Sequence, residues 1–318
     1  MEIEWGDTDA PRHELDRPQP VDREKRTIDG NDSDAQAEAV LTDPERLAAE
    51  HRTYRAIVGR DYGSAHDQWA EAIPELRGAW EKIKEKYGYE EHVEPMPQAE
   101  DGTWHGKGGR TLDATQNDEI DHGCARIREV GEQAIIPGIL SVEADDPTRH
   151  LAGFDRRFKG EDRLKEKVAD LLEPSSELSA AEALDAVGDA VRFTYTYSET
   201  RYTQGVSDDV ERLKARGFEL DKLKNTWTSD QYKGINTQWL EPDAGVRFEV
   251  QFHTQASLEA KELSHKAYER IRSIADPSPE TDREAAELEG FQSSINAVIP
   301  IPPDVNAIED YRREKRDD

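Results

Sequence analysis

The chain has 318 residues, enough for one large domain or two small ones, and 70 acidic against 42 basic residues give it a formal net charge of -28. Such a surface repels the nucleic-acid backbone unless positive charge is gathered locally, which disfavours nucleic-acid partners. The single cysteine excludes an intramolecular disulfide framework and favours a reducing compartment, and no apolar run reaches the roughly 18 to 20 residues of a membrane span.

The first part of the chain is predicted to be disordered and then helical. Residues 1–40 are rich in charged residues and proline and poor in apolar ones, so we expect a disordered acidic tail. A helical region of unassigned role is predicted over 41–149, and its first helix follows the capping pair Asp43-Pro44. A third helix is predicted at about 118–135.

The second helix of this region has the clearest amphipathic pattern. Its apolar positions are spaced by 4, 3, 4, 3 and 4 residues, at Trp69, Ile73, Leu76, Trp80, Ile83 and Tyr87. Pro74 predicts a kink within it. These helices carry no arrangement of residues typical of catalysis, so the chemistry is expected in the second half of the chain.

From about residue 150 the pattern changes to an alternation of helices and strands. The predicted elements are a helix at 161–173, a strand at 187–198, a helix from Ser207 to Gly217, strands at 218–228, 235–241 and 246–254, and helices marked by Ala260 to Ile274 and Leu288 to Val298. The turn sequence Pro242-Asp243-Ala244-Gly245 makes the last two strands a hairpin. A charged, proline-bearing tail is predicted over 299–318.

The last predicted strand alternates cleanly between apolar and polar residues. One face carries Val246, Phe248, Val250 and Phe252, and the other carries Arg247, Glu249, Gln251 and His253. A carboxylate, an amide and an imidazole in one row indicate a ligand-binding face. A sheet with solvent on one side would show the same alternation.

A basic segment lies at the start of this half. Between residues 156 and 167 the chain has six basic and three acidic residues, a local charge of +3. Lys159, Arg163 and Lys167 are four apart and form one stripe on a helix that begins near Gly160. A cationic stripe at a helix N-terminus suits a polyphosphate, whereas a solvated helix face with i,i+4 pairs is the alternative.

Two further patterns are open to more than one interpretation. Asp189 precedes a strand and could hold Mg²⁺ together with Glu249 on a neighbouring strand, or it could be an ordinary turn residue. Polar residues follow one stripe of the helix after the last strand, at Lys261, His265, Tyr268 and Arg272. Ordinary amphipathicity explains that stripe as well as ligand binding does.

Taken in order, five motifs resemble a known family. They are Arg157-Phe158-Lys159, Asp189 with Arg192, Tyr232-Lys233-Gly234-Ile235-Asn236, Glu249-Val250-Gln251-Phe252-His253-Thr254, and His265 with Tyr268. Over about residues 150–275 the chain resembles the synthetase domain of the RelA/SpoT family, the ATP:nucleotide 3′-pyrophosphokinases that make alarmones such as (p)ppGpp. The resemblance implies an α+β fold of the nucleotidyltransferase type, with a mixed, mainly antiparallel β-sheet flanked by helices.

The resemblance also implies how the donor nucleotide is bound. Arg157 and Arg192 would stack on the adenine of ATP by cation–π interactions. The phosphates would be bound by Lys159, Arg163 and Lys167. Mg²⁺ would be ligated by Asp189 and Glu249.

For the acceptor, the resemblance implies a purine nucleotide whose 3′-hydroxyl receives the pyrophosphate. Glu249 would take the proton of that hydroxyl, and Gln251 would orient the acceptor. The remaining acceptor contacts would come from Lys233, Asn236, His253, His265 and Tyr268. The hydroxyl would attack the β-phosphorus of ATP and AMP would leave, a reaction that depends mainly on in-line positioning and charge neutralisation.

The chain departs from the family pattern at three places. Asp189 and Arg192 are three residues apart where the family has five, Ile235 stands where the family has an acceptor-stacking Tyr, and His253 stands where it has Arg. These departures are similar to those of toxin-like or adenine-nucleotide-directed members. The rival interpretation is a non-catalytic nucleotide-binding or virion-associated structural protein that retains the fold.

The implied organisation places a synthetase domain at 150–276 and a C-terminal helix with a charged tail at 277–318. A toxin would have an antitoxin or a phage or virion partner, and the acidic surface leaves the 3′ end of a tRNA as the one nucleic-acid acceptor to consider. No signal peptide is evident, so we expect a cytoplasmic protein. An acidic chain with 27 Arg and only 15 Lys suggests a high-salt cytoplasm, and an ordinary acidic soluble protein is the alternative; virion association is a further alternative location.

Overall fold

A computed structural model describes residues 64–89, 101–106, 109–146, 148–172, 177–274 and 278–313 of the chain. The tail predicted over 1–40 and the helix predicted after Asp43 lie outside these ranges. Within them, no helix combines the length and the apolar composition that a membrane crossing requires.

The structure consists of helices and short strands in the following order. The helices are α1 (Ser64–Tyr87), α2 (Ala114–Val130), α3 (Ile136–Ala144), α4 (Glu161–Leu171), α5 (Ala180–Asp185), α6 (Glu199–Ala215), α7 (Gln255–Ser273) and α8 (Pro279–Ala297). The strands are β1 (Trp104–His105), β2 (Thr111–Leu112), β3 (Arg149–Ala152), β4 (Arg192–Tyr197), β5 (Glu219–Asn225), β6 (Ile235–Glu241), β7 (Val246–Thr254) and β8 (Tyr311–Arg312). A π-turn, Gly131–Ile135, joins α2 to α3.

The main sheet has the strand order β3-β4-β7-β6-β5-β8. Only the central pair, β4 with β7, is parallel, and the other neighbouring pairs in this order are antiparallel. β1 and β2 form a separate antiparallel pair. The fold class predicted from the sequence, a mixed and mainly antiparallel sheet flanked by helices, is confirmed.

The apolar face of this sheet lies in the hydrophobic core. The predicted apolar row of β7 is fully buried, and so is that of β4, at Phe193, Tyr195 and Tyr197. The Tyr195 hydroxyl donates to the backbone carbonyl of Ile139 at 2.7 Å, which ties α3 to the sheet. At the π-turn a Cβ on Gly131 would lie 2.6 Å from the Phe158 ring, so only glycine allows this close approach.

The first and last described helices also pack together. The Trp80 ring of α1 stacks on the Phe291 ring of α8 with centroids 5.6 Å apart, and the Tyr89 hydroxyl donates to Glu284 at 2.6 Å. These residues belong to the same hydrophobic cluster as the sheet. The domain boundary predicted near residue 150 stays a prediction, while the described helices on its N-terminal side share one core with the sheet.

The hairpin of β6 and β7 is confirmed at its predicted bounds, and helix α4 is confirmed at its start but ends at Leu171, two residues before the predicted end. The start of α6 was predicted wrongly at Ser207. The helix begins at Glu199 because Tyr202 and Val206 already face the core, and Ser198 is its N-cap residue. The third helix was predicted to end near residue 135, but the helical path continues through the π-turn to Ala144.

Two edge strands were not predicted from the sequence. β3 was not predicted, and the predicted tail over 299–318 contains β8, which pairs with β5. The backbone amide of Arg313 donates to the carbonyl of Asp221 at 2.8 Å and extends that pairing. α1 runs through Pro74 as one helix, and the kink predicted there stays a prediction.

Candidate active site

Alternate residues of β4, β6 and β7, most of them polar, form one surface on the side of the sheet opposite Phe248, Val250 and Phe252. Across the parallel pair, Arg192 lies opposite Glu249 and His253 lies opposite Thr196. We call this surface the polar sheet face and define it by Arg192, Thr194, Thr196, Asn236, Gln238, Glu249, Gln251 and His253. The register therefore gathers residues that the sequence places on three separate segments.

The centre of the polar sheet face is a chain of three side chains. Lys261 of α7 donates from Nζ to Oε1 of Gln251 at 2.7 Å, and Gln251 donates from Nε2 to Oε2 of Glu249 at 2.9 Å. Burial lowers the pKa of Lys261 to about 8, and the nearby Arg192 guanidinium acts in the same direction. Glu249 and Gln251, predicted as catalytic, are thus in direct contact.

A second hydrogen-bonded group holds the loop before β6. The Tyr232 hydroxyl lies 2.8 Å from Oδ1 of Asn236 and 2.9 Å from Nε2 of His253, and Nδ1 of His253 lies 2.8 Å from the Ser257 hydroxyl. His253 is fully buried, and this burial lowers its pKa well below the usual value. His253 is therefore neutral and binds the protein's own loop.

Lys233 is also directed inward. Its ammonium donates to the backbone carbonyl of Trp227 at 2.9 Å, and the side chain is buried. Ile235 is fully buried in the core, so it offers no surface for a stacked base. The acceptor-binding roles of Lys233, Asn236 and His253 stay predictions, and in the structure all three bond to neighbouring protein groups.

The basic segment forms a cradle beside this surface, defined by Arg157, Lys159, Arg163 and Lys167. Lys159 and Lys167 both bond to the carboxylate of Asp189, at 2.8 Å and 2.7 Å. Burial favours the neutral form of Asp189, but the two ammonium groups outweigh it and lower its pKa to about 2. Burial lowers the pKa of Lys159 to about 8 despite this ion pair.

The two arginines of the cradle are paired as well. Arg157 bonds to Glu132 of the π-turn at 2.9 Å, and its guanidinium lies 4.5 Å from the Phe154 ring centroid. Arg163 bonds to Glu269 of α7 at 2.9 Å. By contrast, the Arg192 side chain makes no hydrogen bond or ion pair with the residues that the structure describes.

Backbone hydrogen bonds bring the cradle to the sheet. Phe158 and Val191 form an isolated antiparallel bridge, and the amide of Lys159 donates to the carbonyl of Ala190 at 2.9 Å. The amide of Glu249 in turn donates to the carbonyl of Val191 at 2.9 Å. The residues predicted to bind the donor and the metal therefore meet at one end of the parallel strand pair.

A cavity opens between this surface and α7. Its lining includes Arg156, Arg192, Thr194, Lys261 and Glu262. Arg156 and Glu262 lie 3.4 Å apart as an ion pair across it. Arg156 and Glu262 were not predicted as site residues, because they are 106 residues apart in the chain.

The remaining predicted site residues lie farther along α7. His265 is partly buried, whereas Tyr268 is 47% exposed and lies against the Arg272 guanidinium. No group of three or more His, Cys, Asp or Glu side chains among the described residues could hold a metal ion alone. A metal held by Asp189 and Glu249 would need further oxygen ligands, such as those of a nucleotide.

The chain is similar to several solved structures, although no protein-family model and no curated protein matches it. The small alarmone synthetase 1 from Bacillus subtilis is 15% identical, with 57% of this chain and 92% of that chain covered and a TM-score of 0.38. The same enzyme bound to its product pppGpp is matched at 16% identity, covering 57% and 94%, with a TM-score of 0.37.

A GTP pyrophosphokinase family protein from Streptococcus pneumoniae is 14% identical, with 58% of this chain and 92% of that chain covered and a TM-score of 0.36. These are the kinds of protein that the five sequence motifs resemble.

Proposed function

We propose that this protein is a nucleotide pyrophosphokinase, which transfers the β,γ-pyrophosphate of ATP to the 3′-hydroxyl of a purine nucleotide. One observation carries the proposal: the cradle and Glu249 converge on Val191 and its neighbours at one end of the parallel strand pair. A polyphosphate in the cradle would lie next to a carboxylate able to accept a proton.

The donor ATP would occupy the cradle and the surface around Arg192. Its phosphates would replace Asp189 as partner of Lys159 and Lys167, since phosphate oxygens accept the same charge-assisted hydrogen bonds. The flat guanidinium of Arg157 already lies against the Phe154 ring, and Arg192 is without a partner in the described residues. Both are suited to stack on an adenine.

The acceptor hydroxyl would be activated by Glu249. Its proton would pass to the Glu249 carboxylate, its oxygen would form a bond to the β-phosphorus, and the bond from that phosphorus to the oxygen bridging to the α-phosphorus would break. AMP is the leaving group. In-line positioning by the cradle and the polar sheet face would supply most of the catalysis.

Mg²⁺ fits the oxygen donors at this place. Asp189 and Glu249 would hold it together with phosphate oxygens, in the manner usual for nucleotide-bound Mg²⁺. The ion would neutralise charge that develops on the phosphates. Because Asp189 is paired with Lys159 and Lys167, its carboxylate would be available to hold the ion once those lysines bind the phosphates of ATP.

A screen of acceptors tests the proposal. Purified protein is incubated with ATP and Mg²⁺ and, separately, with GTP, GDP, additional ATP or deacylated tRNA, and AMP release is followed by chromatography. We expect AMP with at least one acceptor and none when EDTA is present. Absence of AMP with every acceptor would overturn the proposal. A toxin role, with an antitoxin or virion partner, would be examined only after an acceptor is found.

The ion-paired state of the cradle favours a second candidate, a nucleotide-binding protein without turnover. Each cradle cation already has a carboxylate partner, and Ile235 stands buried where a stacking side chain is expected. Calorimetric binding of ATP or GTP without AMP release would support this candidate. Product formation would exclude it.

A further inference from the structure

Lys261 has one structural property that the proposed mechanism does not use. It lies on α7 beside the buried residues Ala260 and Leu263, and it lines the cavity between α7 and the polar sheet face. The one hydrogen bond of its ammonium among the described residues goes to Oε1 of Gln251. A half-buried ammonium directed at one amide oxygen indicates a specific task.

The hydrogen bonds on either side of Gln251 fix the orientation of its amide. A lysine ammonium can only donate, and an ionised carboxylate can only accept. The amide between them therefore has its oxygen toward Lys261 and its NH₂ group toward Glu249. A 180° flip would place the amide oxygen against the carboxylate and the NH₂ group against the ammonium, and both hydrogen bonds would be lost.

This arrangement determines which atoms of Glu249 are free. Oε2 accepts from Gln251 at 2.9 Å, so the carboxylate is held in one rotamer and Oε1 remains available on the polar sheet face. Without Lys261 the amide could rotate, and the carboxylate would lose its fixed neighbour. The effect on Glu249 is transmitted through Gln251 and needs no contact between Lys261 and a nucleotide.

We propose that Lys261 is a positioning residue, which locks the Gln251 amide so that Gln251 orients the Glu249 carboxylate toward the acceptor hydroxyl. The proposal rests on the proposed function of Glu249. It adds a residue that the family motifs do not include. It also gives Gln251 a second role, since its oxygen and one of its N–H groups are engaged within the protein.

The kinetic test compares Lys261→Met, which cannot donate, with Lys261→Arg, which can. For Lys261→Met we expect kcat to fall about 10- to 100-fold, the usual effect of misplacing a reacting group. The KM for ATP should stay within about 3-fold, since the cradle is untouched, and Lys261→Arg should recover most of the activity. Lys266→Met, five residues further along α7, is the matched control and should behave as the unmodified protein.

A double-mutant cycle separates positioning from general support of α7. Gln251→Ala combined with Lys261→Met should be no slower than Gln251→Ala alone, because both changes break the same chain. Independent, multiplicative losses would overturn the proposal, because they would mean that Lys261 acts apart from Gln251.

A measurement that does not require enzymatic activity keeps the test independent of the proposed function. The side-chain NH₂ signals of Gln251, assigned in ¹⁵N spectra by their absence in Gln251→Ala, should move in Lys261→Met and stay in place in Lys266→Met. Unchanged signals in folded Lys261→Met would overturn the proposal. If the unmodified protein releases no AMP, the proposed function fails, and these spectra still decide whether Lys261 holds the amide.

Discussion

The basic cradle and the polar sheet face lie side by side, but they are organised in opposite ways. Every cation of the cradle is held by a carboxylate of the protein, such as Asp189 or Glu132, so a ligand has to exchange partners with it. The polar sheet face is held by hydrogen bonds in a fixed direction, from Lys261 to Gln251 to Glu249. The cradle must therefore exchange its ion-pair partners to bind a ligand, whereas the side chains of the polar sheet face are already in place.

This difference has an energetic origin. Partly buried charges need a partner, because an uncompensated charge in the interior costs several kcal/mol. In the absence of a nucleotide, protein carboxylates fill that role in the cradle. On the polar sheet face the Glu249 carboxylate is hydrogen-bonded to the Gln251 amide, and Arg192 makes no hydrogen bond or ion pair with the described residues, so no exchange of ion-pair partners is needed. The cradle should therefore control binding, and the polar sheet face should control turnover.

Glu249→Gln is the strongest test of this division. It removes the proposed proton acceptor but keeps the size of the side chain, so we expect kcat to fall by about 10³-fold. The affinity for ATP in EDTA, measured by calorimetry, should change little because the cradle is intact, and the melting temperature should stay within about 2 °C because Glu249 faces the ligand side and is only partly buried.

Glu289→Gln, at an exposed position of α8, is the control for this change. Steady-state kinetics and thermal unfolding are measured on both variants. If Glu249→Gln weakened ATP binding and left kcat intact, the division between the two regions would be wrong.

Asp189→Asn tests the cradle. Without Mg²⁺, the Asp189 carboxylate competes with ATP for Lys159 and Lys167, so its removal should tighten ATP binding in EDTA by about tenfold, or about 1.4 kcal/mol. In the presence of Mg²⁺, turnover should fall because a proposed metal ligand is lost. Isothermal titration calorimetry in EDTA measures the first effect.

The control for the cradle variant is Asp185→Asn, a carboxylate that is paired with Arg126 outside the cradle. It should leave ATP affinity unchanged. Weaker ATP binding by Asp189→Asn in EDTA would contradict the idea that protein carboxylates compete with the phosphates.

The smallest expected effect concerns His253 and pH. Burial lowers the pKa of His253 well below 6.5, so below pH 6.5 the unfolded chain binds a proton that the folded protein does not. Stability is therefore lost as the pH falls. Between pH 7.5 and 5.5 the unmodified protein should lose about 1.4 kcal/mol more than His253→Gln, as measured by urea unfolding.

His122→Gln changes a histidine whose side chain is 78% exposed and serves as the control. It should lose the same stability on acidification as the unmodified protein. Equal losses for His253→Gln and the unmodified protein would mean that His253 binds a proton as readily in the folded protein as in the unfolded chain.

The sequence was sufficient to predict which residues share the polar sheet face. It did not predict which carboxylates form ion pairs with the cations of the cradle. Strict alternation in β7 identified which side chains share a face, because the period of a strand is two. The spacing of Lys159, Arg163 and Lys167 identified their common stripe. The carboxylate partners of Arg157 and Arg163 could not be predicted, because Glu132 and Glu269 are distant from the cradle in the sequence and approach it only in the folded chain.

Lys261 shows a second limit of sequence patterns. Its position was noticed only as part of an amphipathic stripe on α7, and the stripe does not reveal that its amine meets Gln251 across the packing of helix on sheet. β8 was missed for a simpler reason. A strand of two residues has no periodicity, and its pairing with β5 exists only in the folded chain.

The position of β7 in the sheet has a consequence for how the protein is made. β7 lies between β4 and β6, although both are synthesised before it. As the chain leaves the ribosome, the pair β3–β4 and the pair β5–β6 have no strand to join them until β7 has emerged. Arg192 and Glu249 become neighbours only then. A nascent chain that ends before residue 246 therefore lacks the proposed active site, and pairing over such a long sequence separation is slow to form.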